Sequence, residues 1–271
     1  MTSNSTNDQF SFWDMARAGI ADLGRGPALA RGVGMLAASR FLTHISIGRL
    51  VERHARRQPN RCALRFEQQS YSYAEFNAAA NRYARVLQSA GVGSGDVVAM
   101  LLENRPETLL AVVATVKLGA VAAMCNTKQR GAVLAHSLSL VKPAAVLVGD
   151  ELREAFGQVR ADIGFAGGER VWRVPLASAV PDEKSGDRDL LAEAASQSTE
   201  NLPETAMVEQ SCPAFYIFTS GTTGMPKASM MSHTRWLRAG AGLGLAGMGL
   251  RGDDVFYCCL PLYHNNALTV S

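Results

Sequence analysis

Thr219-Ser220-Gly221-Thr222-Thr223-Gly224-Met225-Pro226-Lys227 is the stretch of this 271-residue chain best equipped for chemistry. Four hydroxyl donors fall on one short turn. Gly221 and Gly224 permit backbone conformations closed to other residues and let N–H groups approach an anion, and Lys227 adds a mobile point charge suited to phosphate oxygens. The composition points to a polyphosphate ligand. A surface turn of Gly, Thr and Ser is the ordinary reading for three or four such residues, but it does not account for nine in a row.

The preceding Phe215-Tyr216-Ile217-Phe218 reads as a buried strand, and residues 228–232 read as another. The common P-loop is excluded, because it needs a glycine, four residues and then Gly-Lys-Ser/Thr opening a helix. The loop instead resembles the nucleotide-binding loop of the AMP-forming acyl and aryl adenylating enzymes, the superfamily of acyl-CoA synthetases, luciferases and peptide-synthetase adenylation domains. Within it, Tyr216-Ile-Phe-Thr-Ser-Gly-Thr-Thr-Gly-Met-Pro-Lys-Ala-Ser with His233, Arg235 and Trp236 resembles the fatty acid transport protein branch of long-chain and very-long-chain acyl-CoA synthetases. So do the run from Gly95 to Pro106 and Lys117-Leu-Gly-Ala-Val-Ala-Ala.

The resemblance implies a ligase that joins a fatty acid carboxylate to the α-phosphate of ATP, releases pyrophosphate, and passes the acyl group from acyl-AMP to CoA. ATP, Mg²⁺ and CoA are the implied cofactors. Thr219, Ser220, Gly221, Thr222, Thr223, Gly224 and Lys227 would hold the nucleotide, Lys227 would also act catalytically as a charge, and the Thr219 hydroxyl would lie nearest the metal. His264, in Pro261-Leu262-Tyr263-His264, matches a segment lining the passage between acyl and CoA sites, which makes it a substrate-gating residue and not a base. A lone histidine at a strand end is otherwise more often structural.

Family members continue through adenine- and ribose-binding motifs, a hinge and a small domain with a catalytic lysine. On that basis residues 46–271 are expected to be part of an adenylation domain, truncated and inactive alone, behind a 1–45 polar lead and basic amphipathic segment. Aryl-CoA ligase or other adenylating chemistry is the alternative inside the enzyme class; a non-catalytic nucleotide- or membrane-binding remnant is the alternative outside it.

The elements that must position these groups alternate. Helices are expected at 47–57, 73–90, 106–118, 132–140, 190–195 and, broken by glycines, 233–249. Strands are expected at 62–66, 69–73, 97–101, 121–125, 144–148 and 254–260. Strands separated by helices of this length imply right-handed crossovers and a mostly parallel α/β sheet covered on both faces. Residues 180–204 read as a charged surface excursion. Gly242-Leu-Gly-Leu-Ala-Gly247 imitates a dinucleotide-binding pattern but follows a helical segment instead of a strand. Asp253-Asp254 would point to opposite faces of an extended chain, which argues against a metal pair.

A net charge of +3 with no basic run interleaved with aromatics excludes nucleic acid as an expected partner. Cys62, Cys125, Cys212, Cys258 and Cys259 lack metal-ligand spacing and read as reduced core thiols of a cytoplasmic protein. Residues 1–12 are expected to be a disordered lead without secretory order, and the apolar run 109–125 is interrupted by Lys117 and Gly119, so no membrane span is expected. Residues 23–51 contain Arg25, Arg31, Arg40 and Arg49 and no acid, which suits either peripheral contact with the inner face of the cell membrane or a solvated face of a packed helix. Fatty acid, ATP and CoA are the expected small-molecule partners, with a homodimer allowed for a full-length enzyme.

Overall fold

Short apolar strands alternating with helices wind around both faces of one sheet. The computed structural model describes residues 45–165, 170–176, 186–219, 224–251 and 253–270, and singly Gly26, Ala30 and Gly34. The expected lead 1–12 and nearly all of 23–44 lie outside the described residues.

Helix α1 (Ile47–Arg57) begins behind Ser46, whose hydroxyl accepts the Arg49 N–H, and leads into an antiparallel hairpin of β1 (Cys62–Phe66) and β2 (Gln69–Ser72). Ser72 and Glu75 then cap α2 (Tyr73–Ser89) reciprocally, and Gly91 at φ 86 ends it in the left-handed conformation only glycine adopts freely. Next come β3 (Val97–Leu101), α3 (Pro106–Lys117), β4 (Val121–Met124), α4 (Gly131–Val141), β5 (Ala145–Gly149), α5 (Arg153–Gly157) and β6 (Val171–Val174). After β7 (Arg188–Asp189) follow α6 (Leu190–Ala195), α7 (Glu204–Met207), β8 (Pro213–Thr219), β9 (Lys227–Ser232), α8 (His233–Gly240) with a π-helical extension over Ala241–Gly247, and α9 (Asn265–Val270).

The main sheet has strand order β7-β6-β5-β3-β4-β8-β9, parallel throughout except for the last pair. Alternate residues feed two cores. Val98, Met100, Ala122, Leu147, Trp172, Phe215 and Ile217 pack with α2, α3 and α6 on one face. Ala99, Leu101, Val146, Val148 and Val171 pack with α4 and α5 on the other. The chain moves from β3 to β4 by way of α3 on the first face, then back across β3 to β5 by way of α4 on the second. Reversing both direction and face preserves the hand, so the two crossovers share one handedness, and because the connections after β3 and β5 leave in opposite directions the sheet changes winding between β3 and β5.

Three expectations are corrected. Residues 254–260 form no strand: Val255 and Tyr257 are 85% and 83% exposed, since no strand edge among the described residues runs beside them to complete a ladder. The 180–204 region is more than a surface excursion, because β7 extends the sheet while Leu190, Ala194 and Leu202 reach the core. The thiols are not all internal: Cys62 and Cys259 are exposed, Cys212 and Cys258 half-buried, and only Cys125 is enclosed, burial pushing its thiol up to about 12.

Gly242-Gly247 continues α8 as a π-helix, so the strand-turn-helix that a dinucleotide site requires is absent there. Among the described residues no helix is long and apolar enough to cross a membrane.

His233, the first residue of α8, is fully buried and its Nδ1 accepts the Ile47 N–H at 3.2 Å, tying α8 to α1. Burial lowers its pKa from 6.5 to about 4. Above pH 6.5 the ring is neutral in both states. Between 6.5 and about 4 the unfolded chain takes up a proton that the folded chain excludes, so stability should fall by roughly 1.4 kcal/mol per pH unit across that window. Urea midpoints at pH 7 and pH 5 test this. His233→Asn retains an acceptor without the titration and should flatten the dependence; an equally steep dependence in that variant would assign it to other groups.

Candidate functional site

The candidate loop joins β8 to β9 as an antiparallel hairpin instead of leading from a strand into a helix. Its register pairs Phe218 with Ala228 and Thr219 with Lys227. Directly opposed residues on such a pair share a face, with Cβ atoms about 5 Å apart. Thr219 and Lys227 are therefore neighbours, both exposed, at the end of the hairpin. Gly224 has φ 87, the conformation its lack of a side chain was expected to serve. Ser220, Gly221, Thr222 and Thr223 lie outside the described residues.

Alternation decides which face this is. Ile217 and Met231, two residues beyond Thr219 and four beyond Lys227, belong to the core under α2 and α3, so the Thr219–Lys227 pair stands on that face. Because β3, β4 and β8 are parallel, the hairpin lies at their carboxyl edge, two strand spacings from β3, where the winding changes between β3 and β5. In open α/β sheets such an edge is where ligands bind.

The segment carrying His264 comes to the same edge and face. Asn104, just after β3, donates from Nδ2 to the Leu260 carbonyl and accepts the Leu262 N–H, each at 2.8 Å. Leu262, Tyr263 and Leu268 then enter the core on the Thr219 side. His264 sits in a turn closed by its N–H on the Pro261 carbonyl, immediately before α9, and not at a strand end as expected. It is exposed, with its ring 4.5 Å from that of Tyr263. β3 and β8 are two strand spacings apart, about 10 Å, which leaves room between the two segments for a bound molecule. Asn265 is held locally by the Thr269 hydroxyl, which donates to its carbonyl at 2.7 Å, and Asn266 is exposed.

Sequence reasoning overlooked Asn104 and His136. The His136 Nε2 lies 3.1 Å from the Pro226 carbonyl, next to Lys227. A carbonyl only accepts, so Nε2 carries the proton and α4 supports the hairpin from behind. His136, Lys142, Tyr216, Met225, Pro226 and Lys227 line a cleft of about 550 Å³ there. That cleft lies on the α4 side of the sheet and reaches Lys227 at the end of the hairpin. Nothing local marks His136 or Asn104, because their partners are 90 and more than 150 residues away. Among the described residues no group of three His, Cys, Asp or Glu side chains could hold a metal, and Asp253 and Asp254 form no such site.

Comparison with known proteins places this arrangement. The profile of the AMP-binding enzyme family matches residues 51–271. The chain is 44% identical over 245 residues to the medium/long-chain-fatty-acid–CoA ligase FadD6 of Mycobacterium tuberculosis, and 34% identical over 227 residues to long-chain fatty acid transport protein 1 of Rattus norvegicus. These alignments cover 90% and 81% of the chain but only 39% and 34% of those relatives. Among solved structures, the N-terminal domain of FACL13 from Mycobacterium tuberculosis superposes with a TM-score of 0.66 at 26% identity over 84% of the chain and 54% of that domain. Anthranilate CoA ligase AuaEII, solved with anthranoyl-AMP, gives 0.74 at 21% identity over 83% of the chain and 42% of its own, a likeness of fold. With a hairpin at the carboxyl edge of a doubly wound sheet joining the strands on either side of the Gly/Thr-rich stretch, and a family match over four-fifths of its length, the chain belongs to the AMP-binding enzyme family.

Proposed function

We propose that this chain supplies the phosphate-binding part of an AMP-forming ligase that activates a long-chain fatty acid with ATP and transfers it to CoA. The observation that carries the reading is the in-register pairing of Thr219 with Lys227 at the carboxyl edge, in a chain 44% identical to a fatty-acid–CoA ligase. Joining a carboxylate to the α-phosphate brings two anions together, and the barrier falls when their charge is neutralised in place. Lys227 would neutralise phosphate oxygens, Thr219 would orient them, and Ser220, Gly221, Thr222, Thr223 and Gly224 would complete the cradle.

Mg²⁺ would add charge neutralisation when bound. With no group of three metal-ligating side chains among the described residues, the site fits a metal carried in by the phosphates, with Thr219 as the protein ligand. Residues 46–271 would then be an adenylation-domain unit, with peripheral membrane contact through residues 23–51.

His264 would gate the passage of acyl group and CoA. His264→Ala should lower thioester formation about tenfold or more while leaving ATP binding within about twofold, as expected for a positioning group. Equal loss in both would make it structural.

Fatty-acid-dependent pyrophosphate release from ATP and Mg²⁺ tests the whole reading, run on the 271-residue chain and on a version carrying the remaining length of its relatives. Release by the longer chain is expected. No release by either, with any fatty acid, would overturn the assignment.

A further inference from the structure

α1 carries a stripe of arginine that no carboxylate among the described residues neutralises. Arg49, Arg53, Arg56 and Arg57 recur at i, i+4, i+7 and i+8, which at 3.6 residues per turn puts them within about 100° of arc. Arg61 and Arg65 follow through the turn and β1, so the stretch from Ile47 to Phe66 holds six arginines and one carboxylate, Glu52. Glu52 is engaged elsewhere, with the buried Lys117 ammonium 2.8 Å from its Oε1.

Among the described residues Arg53, Arg56, Arg57, Arg61 and Arg65 have no ion-pair partner; Arg61 donates to the Gln58 side chain, and Arg49 only to the Ala206 carbonyl. The other chain charges balance differently. The whole chain has 27 Lys and Arg against 24 Asp and Glu, and setting aside the six and the one leaves 21 against 23. The excess positive charge of the protein therefore resides in this one patch. The crowding registers on His54, whose pKa is held down first by burial and then by Arg53, Arg57 and Arg61.

Like charges at i, i+4 disfavour a helix, and an acid at any of these positions, of which Arg49, Arg56, Arg57 and Arg65 are exposed and Arg53 and Arg61 half-buried, would relieve them. A stripe of this kind suits an external counter-charge. We propose that the arginine face of α1, continued by Arg61 and Arg65, is a docking surface for an anionic lipid bilayer. The stripe is about 12 Å long and borne on one side of the helix, a shape that suits a flat sheet of headgroups. The choice of a bilayer over other polyanions rests on the fatty-acid reading above, because long acyl chains partition into membranes. It extends the contact suggested for residues 23–51, which share Arg49, to side chains beyond that segment.

The test is sedimentation of the 271-residue chain with vesicles of phosphatidylcholine alone or in equal parts with phosphatidylglycerol. Binding should need the anionic lipid and weaken with salt. R53Q/R56Q/R57Q should lower the partition coefficient about fivefold per arginine, on the order of 100-fold together, while R53K/R56K/R57K should retain it. An unchanged thermal melt keeps the result from being a folding defect. Equal binding by the glutamine variant, no binding by the parent chain, or displacement from the vesicles by duplex DNA at equal charge would each overturn the proposal. Since no ATP is present, vesicle binding and pyrophosphate release succeed or fail separately.

Discussion

Lys117→Ala is expected to lower the unfolding free energy by about 3–5 kcal/mol, the cost of breaking a buried charged pair from one side. Lys117 is completely enclosed, at 0% exposure, and its Nζ donates to Glu52 Oε1 at 2.8 Å and to Asn81 Oδ1 at 2.6 Å. Asn81 passes the network on through Nδ2, to the Thr199 carbonyl at 2.7 Å and to Asn201 Oδ1 at 3.0 Å, where Asn77 also donates. One ammonium thus holds α1, α2 and α3 together and pins the connection after α6. Burial pushes its pKa down, opposed by the Glu52 carboxylate.

Truncation removes the ammonium and three methylenes together, leaving the Asn81 oxygen unsatisfied and Glu52 facing a cavity. Lys117→Met keeps the volume and isolates the polar share, so it should cost less, about 1–3 kcal/mol. Urea denaturation of the two variants gives the measurement. A loss under 1 kcal/mol for the alanine variant would mean that water replaces the ammonium without penalty.

The second large effect falls on activity. Lys227→Ala should lower kcat/KM for ATP by about 10²–10³-fold in the pyrophosphate-release assay, the size seen when one preorganised donor to developing negative charge is removed. The side chain is exposed at the start of β9 and opposite Thr219 in the register, so its removal opens no cavity and the melting temperature should hold. Arginine at this position keeps the charge but replaces a compact ammonium with a planar fork, and recovery should be partial. An unchanged dependence of rate on ATP would remove Lys227 from the proposed role. If stability and activity fell together, the hairpin itself would be at fault.

Much of the architecture was legible because it is written in local patterns. Val97-Val-Ala-Met-Leu and Ala145-Val-Leu-Val-Gly have no polar side to show, so they read as strands buried on both faces, and Pro106 and Gly91 mark a helix start and a helix end. The nine residues from Thr219 to Lys227 announced a phosphate loop for the same reason: the conformation and the donors it needs are properties of the residues themselves. β6 at Val171–Val174 went unread, being four residues in an otherwise uninformative stretch, and 254–260 was read as a strand because its apolar residues satisfy the pattern without supplying a partner.

The sequence by itself determined the alternating α/β plan, the strand and turn that make the loop, and the family to which such a loop belongs. Only the tertiary structure decided that Thr219 and Lys227 share a face, that Asn104 draws residues 260–262 to that same edge, that His136 supports the hairpin from behind, and that Lys117 is the hub of a buried network. Each of those depends on strand order and register, which are set by how whole faces pack across the sheet. A residue's neighbours along the chain carry no record of a partner 90 or 150 positions away.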